Sequence, residues 1–226
     1  MNRLKKAIEL TLPVCLGYVP LGIAFGVLLS EAGYGVLWSL LSAASIYAGS
    51  MQFVMVALLT SNSSLVSCAL LTFLVQSRHM FYGLSLIKRY RKFPFFKRLY
   101  LIFSLTDETY SLMTSLKESD DYQDDQFVLL ISFLNQTYWV TGCVLGGLLG
   151  NFIPFDTTGI DFVMTALFVT IVVDQYRNSK QHFPFWTGLM CGLICLAVLG
   201  ADQFLLAALI FTVVILVLKQ DERISV

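Results

Sequence analysis

Eight hydrophobic runs, each close to the length of a bilayer crossing, leave this chain almost no sequence from which to build a soluble core. A helical crossing needs about 20 apolar residues. The runs lie at Pro13 to Ser30, Val36 to Thr60, Ser64 to Ile87, Leu99 to Leu116, Gln126 to Gly150, Ile160 to Gln175, Phe183 to Leu199 and Gln203 to Leu218. In hydrocarbon every backbone amide and carbonyl must be satisfied within the chain, and for runs of this length the helix does that. The expected fold is all-α: a polytopic α-helical membrane protein, one integral membrane domain over residues 1–226.

With 13% charged residues and a formal net charge of zero, the chain lacks the electrostatic footprint of a nucleic-acid partner. Its basic start, Met1 to Lys6, is followed by apolar sequence without a small-x-small cleavage site, so it is read as a retained first membrane segment. Cys15, Cys68, Cys143, Cys191 and Cys195 all fall inside apolar runs. Cys191 and Cys195 share a helix face, but no His or further Cys is near enough in sequence to complete a metal site. They are read as small buried hydrophobes, and no metal or cofactor is expected.

Basic residues in short loops favour the cytoplasmic side. This places Arg3 to Lys6, the Lys88 to Arg98 loop, the Arg177 to Lys180 loop and the Lys219 to Arg223 end inside. Three full crossings on either side of Lys88 would contradict that assignment, because an odd number of crossings changes sides. One or two segments are therefore expected to be broken or re-entrant, namely Pro13 to Ser30, with its Pro13, Gly17, Pro20, Gly22 and Gly26, or Leu99 to Leu116. Leu70 to Phe73 before Arg78 faintly echoes Thr165 to Phe168 before Asp174, as an inverted three-plus-three repeat would.

Ionisable and polar groups at membrane depth mark candidate sites. Gly17, Pro20 and Gly22 suggest either a kinked, tightly packed helix or an unwound stretch whose amides and carbonyls hold the charged ends of a zwitterion. Gln52, within Tyr47-Ala48-Gly49-Ser50-Met51-Gln52-Phe53, is either helix-to-helix glue or a substrate contact. Arg78, in Gln76-Ser77-Arg78-His79, either snorkels to the interface or grips a carboxylate with its planar fork. His79 is a candidate proton relay or a structural histidine. Asp107 and Glu108 sit side by side at mid-segment, where at least one is expected to exchange protons; in a segment lying flat they would merely be solvated. Phe25, Met51 and Phe53 would wall a pocket for an aliphatic side chain. Asn135, Gln136, Tyr138 and Asp174 are weaker candidates, and Trp139 and Trp186 are read as lipid-facing or interfacial.

Taken in order, Pro13-x3-Gly17-x2-Pro20-x-Gly22-x2-Phe25-Gly26, Tyr47-Ala48-Gly49-Ser50-x-Gln52-Phe53, Arg78-His79-x2-Tyr82-Gly83 and Leu105-Thr106-Asp107-Glu108 resemble the AzlC family, the large subunits of bacterial branched-chain amino acid export permeases. The likeness runs from about residue 8 to 200. Members typically carry Asn-Leu-Arg-His where this chain has Gln76-Ser77-Arg78-His79, which puts the role of position 76 in question. The resemblance implies a multi-pass protein of the bacterial cytoplasmic membrane that exports leucine, isoleucine, valine and similar amino acids. It also implies a small membrane partner of the AzlD type.

The combined expectation is a secondary exporter. Gly17, Pro20, Gly22, Tyr47, Gln52, Gln76 and Arg78 would bind substrate, and Asp107, Glu108 and His79 would couple it to protons. A channel or structural subunit is the rival reading. An intramembrane enzyme is a weaker one, since His79 and His182 supply a metal poorly and Ser50 lacks the following Gly of a nucleophile motif.

Overall fold

A computed structural model of the chain describes residues 3–61, 64–116, 125–152, 182–200 and 204–224, with isolated residues at 166, 169, 172–173 and 176–177. The side chains of Arg78 and Phe81 lie outside the described set. So do Asp174, most of Thr165 to Phe168 and the acidic stretch before Asp125. All regular structure among the described residues is helical: α1 Arg3–Glu31, α2 Val36–Ser45, α3 Gly49–Thr60, α4 Leu65–Tyr90, α5 Phe95–Phe103, α6 Asp107–Ser115, α7 Asp125–Phe152, α8 Phe183–Leu199 and α9 Phe204–Ile224. The chain forms two compact units, Met1–Asn62 with Val75–Met164, and Ser63–Leu74 with Thr165–Val226.

In the first unit α1 and α7 form the central pair, each long and apolar enough to cross a membrane. Their backbones nearly touch. A Cβ added at Gly26 would lie 2.2 Å from the Cys143 carbonyl oxygen, and one at Gly146 would lie 2.1 Å from that of Ile23. Gly22-x3-Gly26 on α1 faces Gly142-x3-Gly146 on α7, the small-residue spacing that lets membrane helices pack by close van der Waals contact. α2 packs against α7 as well, and α5 and α6 reach it from a further side. Ala7, Leu86, Tyr90, Leu101, Leu105, Met113, Phe127, Val128 and Ile131 bury a shared apolar core there.

Pro13 and Pro20 do not break the first segment: α1 is continuous across both. The expectation of an unwound stretch at Gly17 to Gly22 is therefore corrected. A membrane helix absorbs the lost donors through neighbouring groups and local adjustment. The breaks fall elsewhere. The Leu99 to Leu116 segment divides into α5 and α6 at Ser104, Leu105 and Thr106, as the parity argument anticipated. The Val36 to Thr60 segment also divides, into α2 and α3 at Ile46, Tyr47 and Ala48.

The second unit packs α8 against α9. Cys191 and Cys195 are buried on one face of α8, as their spacing predicts, and the Lys219 ammonium lies 3.3 Å from the Phe183 ring centroid. Across the chain, Leu16, Leu65, Phe96 and Val198 are 70%, 87%, 82% and 76% exposed. Water would penalise so much uncovered apolar surface, whereas lipid is its natural solvent. This is an all-α membrane protein.

Candidate functional site at two broken helices

The two breaks have different local causes. Thr106 is extended and its side chain accepts a 3.3 Å hydrogen bond from the Thr109 amide, a helix N-cap. Asp107 and Glu108 then occupy the first turn of α6, where negative charge complements the helix dipole. The other break has no polar cap: Ala48 precedes α3 without a side-chain hydrogen bond, and Tyr47 adopts the left-handed region at φ 44°. That conformation costs a tyrosine about 1–2 kcal/mol. Burial of the side chain, only 3% exposed and packed near Phe103, holds it in place.

Both breaks meet at Tyr18 of α1. Its hydroxyl lies 2.5 Å from Glu108 Oε2 and 2.7 Å from Thr106 Oγ1, its one proton shared between them. The Tyr47 side chain stands beside Tyr18 and Thr106 and feels the Glu108 charge, while its hydroxyl meets no satisfied hydrogen bond among the described residues. From Thr106 the network continues to Thr109 Oγ1 at 3.1 Å, which in turn accepts from Asn135 Nδ2 at 3.0 Å. Thr106, the N-cap of α6, and the side chain of Tyr47, two residues before α3, thus enter one buried polar cluster, and Glu108 alone of its acidic pair is exposed. The N-terminal end of a helix dipole favours an anion, and Glu108 places a negative charge beside it that can meet a cation.

Gln52 is fully buried and holds the α2–α3 break in shape. Its Oε1 accepts from Trp139 Nε1 at 2.8 Å and from the Ala48 amide at 3.3 Å, and its Nε2 reaches Ser42 Oγ at 3.5 Å. The helix-glue reading is the one the geometry supports. We expect Gln52→Ala to destabilise the protein by on the order of 3 kcal/mol, because two buried N–H donors lose their acceptor. Thermal unfolding in detergent checks this, and an unchanged melting temperature with weakened substrate affinity would return Gln52 to the substrate.

Trp139 corrects a second expectation: it is 3% exposed, neither lipid-facing nor interfacial, stacks near Phe25 and meets Tyr18 in a T-shaped pair. Trp186, 53% exposed, does face outward. Gly17 and Pro20 lie on the exposed face of α1 away from the cluster, and Gly22 serves the α1–α7 contact. Phe25 and Phe53 meet edge to face in the core, with Met51 buried. On α4, His79 packs against Tyr82, which stacks on Tyr110 of α6 at 4.4 Å. Gln76 Oε1 is buried and has no hydrogen-bond partner among the described residues. Thr106, already part of the Leu105-Thr106-Asp107-Glu108 motif, and Thr109 join the site, and so does Tyr18, which the sequence did not mark, since a tyrosine inside an apolar run gives no periodic signal. Gln136 also proves structural, its Oε1 accepting from Tyr100 at 2.8 Å and its Nε2 donating to the Ala44 carbonyl at 3.3 Å.

Comparison with known proteins places this architecture. The AzlC protein family model matches residues 13–153, a span that contains both breaks and the α1–α7 glycines. A Helicobacter pylori protein described as an uncharacterized membrane protein is 36% identical over 222 residues, covering 98% of this chain and 97% of its own length. The branched-chain amino acid transport protein AzlC of Bacillus subtilis is 34% identical over 206 residues, 91% of this chain and 81% of that protein. The inner membrane protein YgaZ of Escherichia coli is 29% identical over 177 residues, 76% of this chain and 72% of that protein. No solved structure matches the chain. With a family model covering more than half its length and a named member aligned over nearly all of it, the chain belongs to the AzlC family.

Proposed function

We propose that this protein is a secondary transporter that exports leucine, isoleucine, valine and similar aliphatic amino acids across the bacterial cytoplasmic membrane in exchange for protons. A small membrane partner would work with it. The observation that carries the reading is exposed Glu108 in the first turn of α6, joined through Tyr18 to the break that precedes α3. A zwitterion needs an anion site and a cation site a few ångströms apart, and helix termini next to a carboxylate supply that pair. The substrate class is taken from the named Bacillus subtilis relative, and the membrane from the inner membrane protein of Escherichia coli.

In this mechanism the substrate carboxylate lies at the first-turn amides of α3 and α6, with Arg78 of α4 adding a charged fork. The ammonium sits on Glu108, and Tyr18 steadies that carboxylate from the other side. Glu108 can hold an ammonium or a proton but not both, so the two exclude each other, and that exclusion is the condition for exchange. Asp107 and His79 are assigned to the proton's path and Gln76 to the substrate's polar end. Met51 and Phe53, next to the α3 terminus, supply apolar wall for the aliphatic chain. One methylene is worth only about 1–3 kcal/mol in such a pocket, so several aliphatic amino acids should share it.

Producing the chain together with its small partner should lower intracellular leucine, isoleucine and valine and protect cells from toxic analogues of them. Full protection by the chain in cells without any such partner would refute the two-component arrangement. Unchanged pools with both present would refute the substrate class.

A further inference from the structure

The α5–α6 break has a second side, facing α7, and the polar groups there are left over from the network around Glu108. Ser104, Ser132 and Asn135 are each fully buried. Among the described residues, Ser104 Oγ, Ser132 Oγ and Asn135 Oδ1 have no hydrogen-bond partner. Several unsatisfied buried oxygens in one place are uncommon, since each costs about 1–3 kcal/mol.

All three flank one apolar core, the one that Leu101 and Leu105 of the α5 end share with Val128 and Ile131 of α7. Ser132 and Asn135 are one turn apart on α7, and their neighbours on that face all touch the break region. Asn135 Nδ2 bonds Thr109 at 3.0 Å, Gln136 accepts from Tyr100 at 2.8 Å, and Val128 and Ile131 share a core with Leu101 and Leu105. Ser104 lies between Leu101 and Leu105, at the C-cap of α5. Reversing the Asn135 amide does not remove the orphan: it would put the oxygen on Thr109 and strand two N–H donors instead.

We propose that a single sodium ion binds between the α5–α6 break and α7, held by the side-chain oxygens of Ser104, Ser132 and Asn135 and by carbonyls of the break. The Tyr100 and Ile102 carbonyls at the end of α5 accept from the Ser104 and Leu105 amides at 2.8 and 3.4 Å, but each keeps a second lone pair, and this helix end carries the negative end of the dipole, so a cation is favoured there. Unwound backbone at half-helix C-termini is a suitable ligand for a monovalent ion. All the donors are hard, neutral oxygens, which suits sodium over transition metals and lacks the carboxylates a calcium or magnesium ion would require. No cluster of three His, Cys, Asp or Glu able to hold a metal occurs among the described residues. Asn135 stands at the far end of the hydrogen-bonded chain that runs through Thr109, Thr106 and Tyr18 to exposed Glu108, so ion binding is measured here without reference to the substrate assignment.

The test is equilibrium binding of radioactive sodium to the full-length protein in detergent, paired with thermal unfolding in sodium chloride against choline chloride at constant ionic strength. Saturable retention is expected, with a melting temperature that rises with sodium and not with choline. Ser132→Ala, and independently Ser104→Ala, should weaken sodium binding by about tenfold or more while each protein still unfolds cooperatively in choline. Equal melting in the two salts with no retained sodium would overturn the site. So would higher stability of Ser132→Ala in both salts, the behaviour of an unfilled or water-filled gap.

Discussion

Glu108→Gln abolishes net export driven by an imposed pH gradient while the protein remains inserted and folded. The carboxylate is exposed, and its one short hydrogen bond comes from Tyr18 at 2.5 Å. A glutamine of equal size can accept the same bond, so the fold should survive. It can neither pair with an ammonium nor carry a proton. Losing one charge-assisted contact weakens substrate binding by roughly tenfold to a hundredfold, and losing the proton site removes coupling altogether. Uptake of labelled leucine into everted vesicles, with and without the gradient, measures both effects. Wild-type gradient-driven flux in the variant would take the coupling role away from Glu108.

Gly146→Val should all but eliminate folded protein. Even the first added carbon falls 2.1 Å from the Ile23 carbonyl oxygen and 2.7 Å from its carbon. Both are backbone atoms, so no rotamer change relieves the clash, and α1 and α7 must separate. Overpacking costs about 1–3 kcal/mol where side chains can yield, and this contact should exceed that range. Gly17→Ala is the matched control. A Cβ there meets nothing within 4 Å, and alanine is the better helix former by about 1 kcal/mol, so stability should hold or rise. Membrane yield and melting temperature in detergent distinguish the two. Loss of transport on Gly17→Ala, with the fold intact, would revive an unwound α1.

Much of the fold was legible because bilayer physics narrows the choices. Run lengths predict helices, and charge parity predicts broken backbone somewhere. The location of the breaks was harder to read. Thr106 followed by Asp107 and Glu108 is a helix-start pattern, but inside an apolar run it reads as two charges at mid-helix. The break at Tyr47 carries no glycine or proline at the left-handed position, and tertiary burial sets it. Pro13 and Pro20 attract attention that α1 does not repay, because glycine packing against α7 keeps it helical. Gln52 was visible as a buried amide, yet only Trp139 and the Ala48 amide at their observed distances decide that it clamps the chain. Tyr18 was hidden for a simpler reason: its apolar ring fits the hydropathy pattern, and only its hydroxyl enters the site.

The central claim is that the junction of the two breaks recognises both charged ends of an aliphatic amino acid. The most direct measurement is equilibrium binding to the purified protein, with its partner, of leucine, leucinamide and 4-methylpentanoate, which share one side chain and differ in their charges. Leucine should bind tightest, and each analogue should bind about tenfold to a hundredfold more weakly, having lost one charged contact. Leucinamide binding as well as leucine would contradict the helix-terminus site for the carboxylate, and 4-methylpentanoate binding as well would contradict the role of Glu108.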